Sequence, residues 1–119
     1  MKTVDLARAG EEFAVKHLID KGYTILERNF RTKFGEIDII AEKSGSVVFV
    51  EVKSRTEGTG YIPSEAVDSR KKRRLVRLSE CYISRCGEKY DGFRIDLIGL
   101  VFKAGRILSV EHLENIIEG

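Results

Sequence analysis

The sequence predicts an α/β domain whose elements follow in the order αβββαββ. Two observations carry that prediction. Two long stretches place apolar residues at helical spacing. Between and after them lie short runs rich in β-branched residues, each bounded by glycine or polar turn residues. Helices laid on such strands give a two-layer α/β arrangement. The 119 residues fit a single domain spanning 1–119.

The first helix is expected from about Val4 to Lys21, where Gly22 stops it. Tyr23 to Arg31 reads as a strand and Phe34-Gly35 as a turn. Gly35 begins a second strand, Glu36-Ile37-Asp38-Ile39-Ile40-Ala41. Ser44-Gly45-Ser46 is a tight reversal into a third strand, Val47 to Ser54. Such short connections make an antiparallel meander. Thr56 to Pro63 holds Gly58 and Gly60 and reads as a loop, with Tyr61 a candidate for stacking on a base. Pro63-Ser64-Glu65 should open a second helix that runs to about Cys86 and ends at Gly87. Phe93 to Phe102 and Arg106 to Val110 are the last strands, separated by the Gly105 turn. Glu111 to Gly119 is expected to be a short frayed helix.

Composition narrows the function classes. A net charge of +2 is too small to argue for nucleic acid, so local charge must decide. Cys81 and Cys86 form no CxxC pair and sit on one helix, pointing apart. That favours reduced thiols over a zinc site or disulfide. No segment approaches the roughly 20 apolar residues of a membrane span, and Met1-Lys2-Thr3-Val4-Asp5 lacks a signal peptide's apolar run. A cytoplasmic protein is expected.

The chemistry is concentrated in the second and third strands. In Val48-Phe49-Val50-Glu51-Val52-Lys53, Glu51 and Lys53 share one face and Val50 and Val52 the other. Charges inside an apolar strand are costly unless partnered. Asp38, between Ile37 and Ile39, repeats the anomaly. Strands paired through the Ser44-Gly45-Ser46 reversal would bring Asp38 near Glu51, and close carboxylates call for a cation or a proton between them. On the first helix, Val4, Ala7, Ala14, Val15 and Leu18 fall within about 60° of Glu11 on the wheel. Glu11 is therefore centred on the stripe that faces the sheet. Glu12 lies toward Arg8 and Lys16, a solvated ion-pair position. Asp38, Glu51 and the Val52 carbonyl suit Mg²⁺ or Mn²⁺, which take oxygen ligands and keep several waters. Lys53 could hold an attacking water or neutralise charge on a phosphate. The competing account is a buried structural ion-pair network.

The motifs Gly10-Glu11-Glu12, Gly22-Tyr23-Thr24-Ile25-Leu26, Asn29-Phe30-Arg31, Gly35-Glu36-Ile37-Asp38-Ile39-Ile40 and Val48-Phe49-Val50-Glu51-Val52-Lys53 together resemble the YraN-type family. So do Pro63-Ser64-Glu65-Ala66-Val67 and Phe93-Arg94-Ile95-Asp96. That family is similar to archaeal Holliday-junction resolvases, and Asp38 followed by Glu51-Val52-Lys53 fits the PD-(D/E)xK nuclease superfamily. The resemblance implies a restriction-endonuclease-like fold, a central mixed sheet flanked by helices. It implies Glu11, Asp38, Glu51 and Lys53 at the catalytic positions, and a homodimer as in resolvases that cut two strands.

Arg70, Arg73, Arg74 and Arg77 fall on one side of the second helix, with Leu75, Leu78 and Tyr82 on an apolar side. A basic run is usually a solvated face, but beside a metal site it becomes a candidate phosphate track. Arg31, Lys33 and Arg55 are weaker candidates, and His17 and His112 read as lone packing or surface residues. Arg94 and Asp96 share a strand face and suit a structural pair. Three hypotheses follow. The first is a Mg²⁺- or Mn²⁺-dependent endonuclease acting on DNA, branched or non-duplex DNA being one candidate substrate. The second is a nucleic-acid-binding module without turnover. The third is a structural or assembly protein with an ordered polar core.

Overall fold

The computed structural model describes residues 3–58 and 67–117. Its elements are α1 (Thr3–Asp20), β1 (Thr24–Thr32), β2 (Gly35–Lys43), β3 (Ser46–Thr56), α2 (Ser69–Cys86), β4 (Gly92–Lys103) and β5 (Arg106–Leu113). This is the expected αβββαββ order. Gly22 ends α1 at a φ of 91°, a conformation that costs glycine little.

Two boundaries differ from expectation. Val67 and Asp68 are not helical, so α2 starts at Ser69 instead of near Pro63. The cause is Asp68, whose carboxylate accepts the Lys71 N–H at 2.9 Å and caps the helix. Pro63-Ser64-Glu65 and Tyr61 lie outside the described residues. The frayed helix expected at 111–119 is also absent among the described residues. Glu111 to Leu113 instead complete β5, and 114–117 are irregular. Pairing with β4 wins there, because Ile116 N–H bonds the Ile95 carbonyl at 2.8 Å and ties the chain to that strand.

The five strands form one mixed sheet in sequence order. β1, β2 and β3 are the expected antiparallel meander, and β4 pairs antiparallel with β5. β3 and β4 run parallel, which demands a crossover, and α2 lies within it. The central strands carry apolar side chains on both faces because both faces are covered. On one face Ala14 and Leu18 of α1 pack on Ile39, Val48, Val50 and Ile98. On the other, Leu75 and Leu78 of α2 pack on Ile40, Val47, Phe49 and Leu97. Helix-on-sheet packing is thus repeated on each side. No described helix is long and apolar enough to cross a membrane.

Candidate active site

The site lies where β2 and β3 part. Their ladder runs from Lys43↔Ser46 to Ile39↔Val50 and stops. Beyond that point β2 stays with β1, through Ile37↔Phe30 to Gly35↔Thr32. β3 stays with β4 as far as Thr56↔Phe102. The Val52 amide, which has lost its backbone partner on β2, donates to Asp38 Oδ2 at 2.8 Å. Asp38 therefore takes the place of a rung of the ladder at the point where the strands part.

The resulting cleft is a cavity of about 350 Å³ lined by Glu11, Asp38, Glu51, Val52, Lys53 and Lys71, with Glu36, Ser54 and Arg74 at its walls. Glu51 is only 4% exposed. Burial, then a hydrogen bond with Glu51 and that residue's charge, push the Asp38 carboxyl from 3.8 up to about 8. Burial, then the adjoining Lys71, pull the Lys53 ammonium below the usual lysine range. The acid is thus pushed up and the ammonium pulled down, opposing shifts of the kind that functional clusters show.

Each helix delivers a side chain to the cleft. Gly10 lets α1 come close, since a Cβ there would collide with Ser54 Oγ of β3 and crowd Leu100. The next residue, Glu11, then reaches the cavity. Burial raises its carboxyl, partly offset by Arg28. With its amide nitrogen turned toward the acids, Asn29 donates to Glu11 Oε1 at 3.1 Å and Glu36 Oε1 at 2.9 Å. Asn29 has a φ of 53°, in the left-handed region that asparagine tolerates better than most residues. From α2, Lys71 makes an ion pair with Glu51.

The four residues expected at the catalytic positions are therefore together, and Val52 lines the same cavity. Arg74 lines this cavity and also a second one, of about 420 Å³, formed by Arg70, Arg73, Arg77 and Phe34. The basic face of α2 is thus continuous with the cleft. Arg31 is exposed and pairs with Glu36 at 3.2 Å. Arg55, opposite Val101 on β4, lines neither cavity. Glu12 is solvated as expected, but its partner is Arg28 at 2.7 Å, reached across from β1, not Arg8 or Lys16. Lys71 and Asn29 were missed as site residues. Lys71 had a readable signal: with Leu75 and Leu78 it lies on one stripe, within about 60° on the wheel. Asn29 stood in the Asn29-Phe30-Arg31 motif, but its contacts with Glu11 and Glu36 arise only in the folded chain.

A second polar cluster is closed on itself. Asp96, fully buried, accepts from Arg94 Nε at 3.0 Å and the Asn115 N–H at 2.9 Å, with His112 Nε2 at 2.9 Å. His112 Nδ1 in turn lies 3.3 Å from His17 Nε2, so these histidines are paired and not lone. Arg94 and Asp96 form the expected structural pair. Cys81 and Cys86 are both free thiols.

Fold and site together define a class of protein: an α/β domain whose five-stranded mixed sheet opens between two strands onto carboxylates and lysines. The chain belongs to the UPF0102 family, the one its YraN-type motifs resemble; the model of that uncharacterised protein family matches residues 10–100. It is 39% identical over 116 residues to the UPF0102 protein of Dictyoglomus thermophilum, covering 97% of this chain and 98% of the relative. To the UPF0102 protein of Persephonella marina it is 45% identical over 109 residues, covering 91% and 89%. Among solved structures it is similar to Pyrococcus furiosus SfsA in complex with Ca²⁺, at 16% identity and a TM-score of 0.40, covering 99% of this chain and 66% of that one. That likeness is too slight to carry an argument.

Proposed function

We propose that this protein is a Mg²⁺- or Mn²⁺-dependent endonuclease that hydrolyses DNA phosphodiester bonds, with branched or non-duplex DNA as its substrate. The observation that carries the proposal is the convergence of Asp38, Glu51 and Lys53 in one cavity that Arg74 joins to the basic face of α2.

The donor set fits a hard cation. The described residues that line the cavity offer carboxylates and a carbonyl, and none of them is a histidine or cysteine, which favours an oxygen-loving ion over zinc. Two adjacent carboxylates, one of them pushed up to about 8 by burial and by the other, suit an ion that keeps several waters and takes the rest of its ligands from phosphate. Asp38 and Glu51 would hold it, with the Val52 carbonyl as a further ligand. Once bound, it would polarise a phosphoryl oxygen and acidify a water. Lys53 would orient that water, take or give its proton, and offset charge developing on the phosphate. Glu11, beside Asn29, would position a further water or ligand from the α1 side. Arg70, Arg73, Arg74 and Arg77 would hold phosphates.

The test is a cleavage assay on linear, flapped and four-way DNA, with Mg²⁺, Mn²⁺ or EDTA. Wild type should cut only with metal. Lys53→Ala should retain metal and DNA binding yet cleave about 10²-fold more slowly or worse. DNA binding with no cleavage of any substrate under either metal would replace the enzyme with a binding module. Neither binding nor cleavage, with an unfolded Lys53→Ala variant, would leave a structural ion network.

A further inference from the structure

α2 divides its cations between two tasks. Arg70, Arg73, Arg74 and Arg77 are exposed, whereas Lys71 turns inward with Leu75 and Leu78. Its backbone is fixed by the cap, since Asp68 accepts the Lys71 N–H. Its ammonium pairs with Glu51, a side chain 5% exposed, while Lys71 itself is 27% exposed. The ammonium therefore sits at Glu51, in the cavity that Arg74 also lines.

We propose that Lys71 is a tethered counter-cation: it occupies the Glu51 carboxylate in the metal-free protein, and gives that carboxylate up when a divalent cation binds, becoming available to a DNA phosphate. The inference rests on the reading that Asp38 and Glu51 hold such a cation. A divalent ion and an ammonium at one buried carboxylate repel strongly, the more so with Lys53 already adjoining Lys71 there. Binding of the ion must then displace the ammonium, and the exit open to a four-carbon stem leads to the basic face beside Arg74. There a phosphate would meet Arg74 and Lys71 together. Metal and DNA should consequently bind with positive coupling, and by linkage each should strengthen the other equally. Lys71 is a positioning residue of the loaded site and a competitor in the empty one.

The test uses Mn²⁺ alone as the probe, with free ion counted by electron paramagnetic resonance. Wild type, Lys71→Met and Lys72→Met are compared at equal charge loss in the two variants. Lys72 is the control, because it lines a different, largely apolar groove with Val67 and Val76. Lys71→Met should bind Mn²⁺ tighter by about fivefold or more, the lower end of ordinary coupling between sites. Lys72→Met should stay within about twofold of wild type. In a second measurement, Ca²⁺ should raise the affinity of wild type for a labelled duplex, and Lys71→Met should lose most of that gain. Should methionine disturb folding, Lys71→Gln gives the same comparison. Equal or weaker Mn²⁺ binding by a folded Lys71 variant overturns the inference and leaves the metal site standing. Absence of Mn²⁺ binding in every protein, wild type included, overturns both.

Discussion

Replacing Asp38 with asparagine should stabilise the metal-free protein at pH 8 and change it little near pH 4. Burial and Glu51 push the Asp38 carboxyl up to about 8, whereas an unfolded chain ionises the same group near 3.9, about the ordinary value. Between those limits the folded state keeps a proton that the unfolded state has released. A raised acid therefore erodes stability as pH climbs from about 4 to about 8, by up to roughly 1.4 kcal/mol per unit. Four units bound the loss at roughly 6 kcal/mol. Lys53 and Lys71 beside the pair and water in an open cleft reduce it, so roughly 2 kcal/mol is recoverable by substitution. The asparagine of the Asp38→Asn variant can still accept the Val52 N–H and can donate to Glu51. For a domain of this size the gain is about 8 °C in melting temperature. The assay is thermal unfolding in EDTA from about pH 3.5 to about 8.5, a window that spans both ionisations, for both proteins, then repeated with Mg²⁺. The stability difference should widen with pH, and Mg²⁺ should raise Tm of wild type but not of Asp38→Asn. A pH-independent difference would refute the linkage, and equal Mg²⁺ shifts would remove Asp38 from the metal set.

Neutralising Arg73 and Arg77 should weaken DNA binding and flatten the log–log salt dependence by roughly 0.9 per lost duplex contact, measured by fluorescence anisotropy between low and moderate salt. Unchanged slope and affinity would return α2 to a solvated face. Glu11→Gln should impair cleavage, while Glu12→Gln, which loses only an exposed pair with Arg28, should leave kcat within about twofold. Asp96→Asn should destabilise the fold by about 3 kcal/mol at neutral pH in denaturant titrations without specifically altering metal affinity.

The fold was legible because periodicity, β-branching and turn residues agreed along most of the chain. Where they failed, one side chain or a tertiary pairing overrode the local signal. α2 begins after Asp68, whose carboxylate caps it by accepting the Lys71 N–H, a signal that the sequence reading passed over. β5 captured Glu111 to Leu113, the start of the stretch expected to be a frayed helix, by pairing with Gly99, Ile98 and Leu97. At the site, a charged residue on an apolar stripe was the productive signal. It distinguishes Glu11 from Glu12, and the same wheel applied to α2 distinguishes Lys71 from Lys72. The basic run hid it, because Lys71 lies among six cations in eight residues, four of which form one basic side.

The two aspartates buried in the sheet show why neighbouring sequence could not by itself separate structure from chemistry. Ile37-Asp38-Ile39 and Ile95-Asp96-Leu97 are nearly the same triplet. Burial raises both carboxyls; what differs is the supply of donors. Asp96 receives Arg94, His112 and the Asn115 N–H, which outweigh burial and hold it below its ordinary range. Stability from that network is present above the unfolded value and lost as pH falls through the depressed one, opposite in sign to Asp38. Asp38 receives the Val52 N–H and faces another carboxylate, so its remaining oxygen capacity is directed into a cavity. A saturated acid orders a core; an acid left short of donors beside a second acid is where the proposed cation would bind. The distinguishing partners of Asp96 come from β4, β5 and the segment beyond it, and only the folded sheet assigns them.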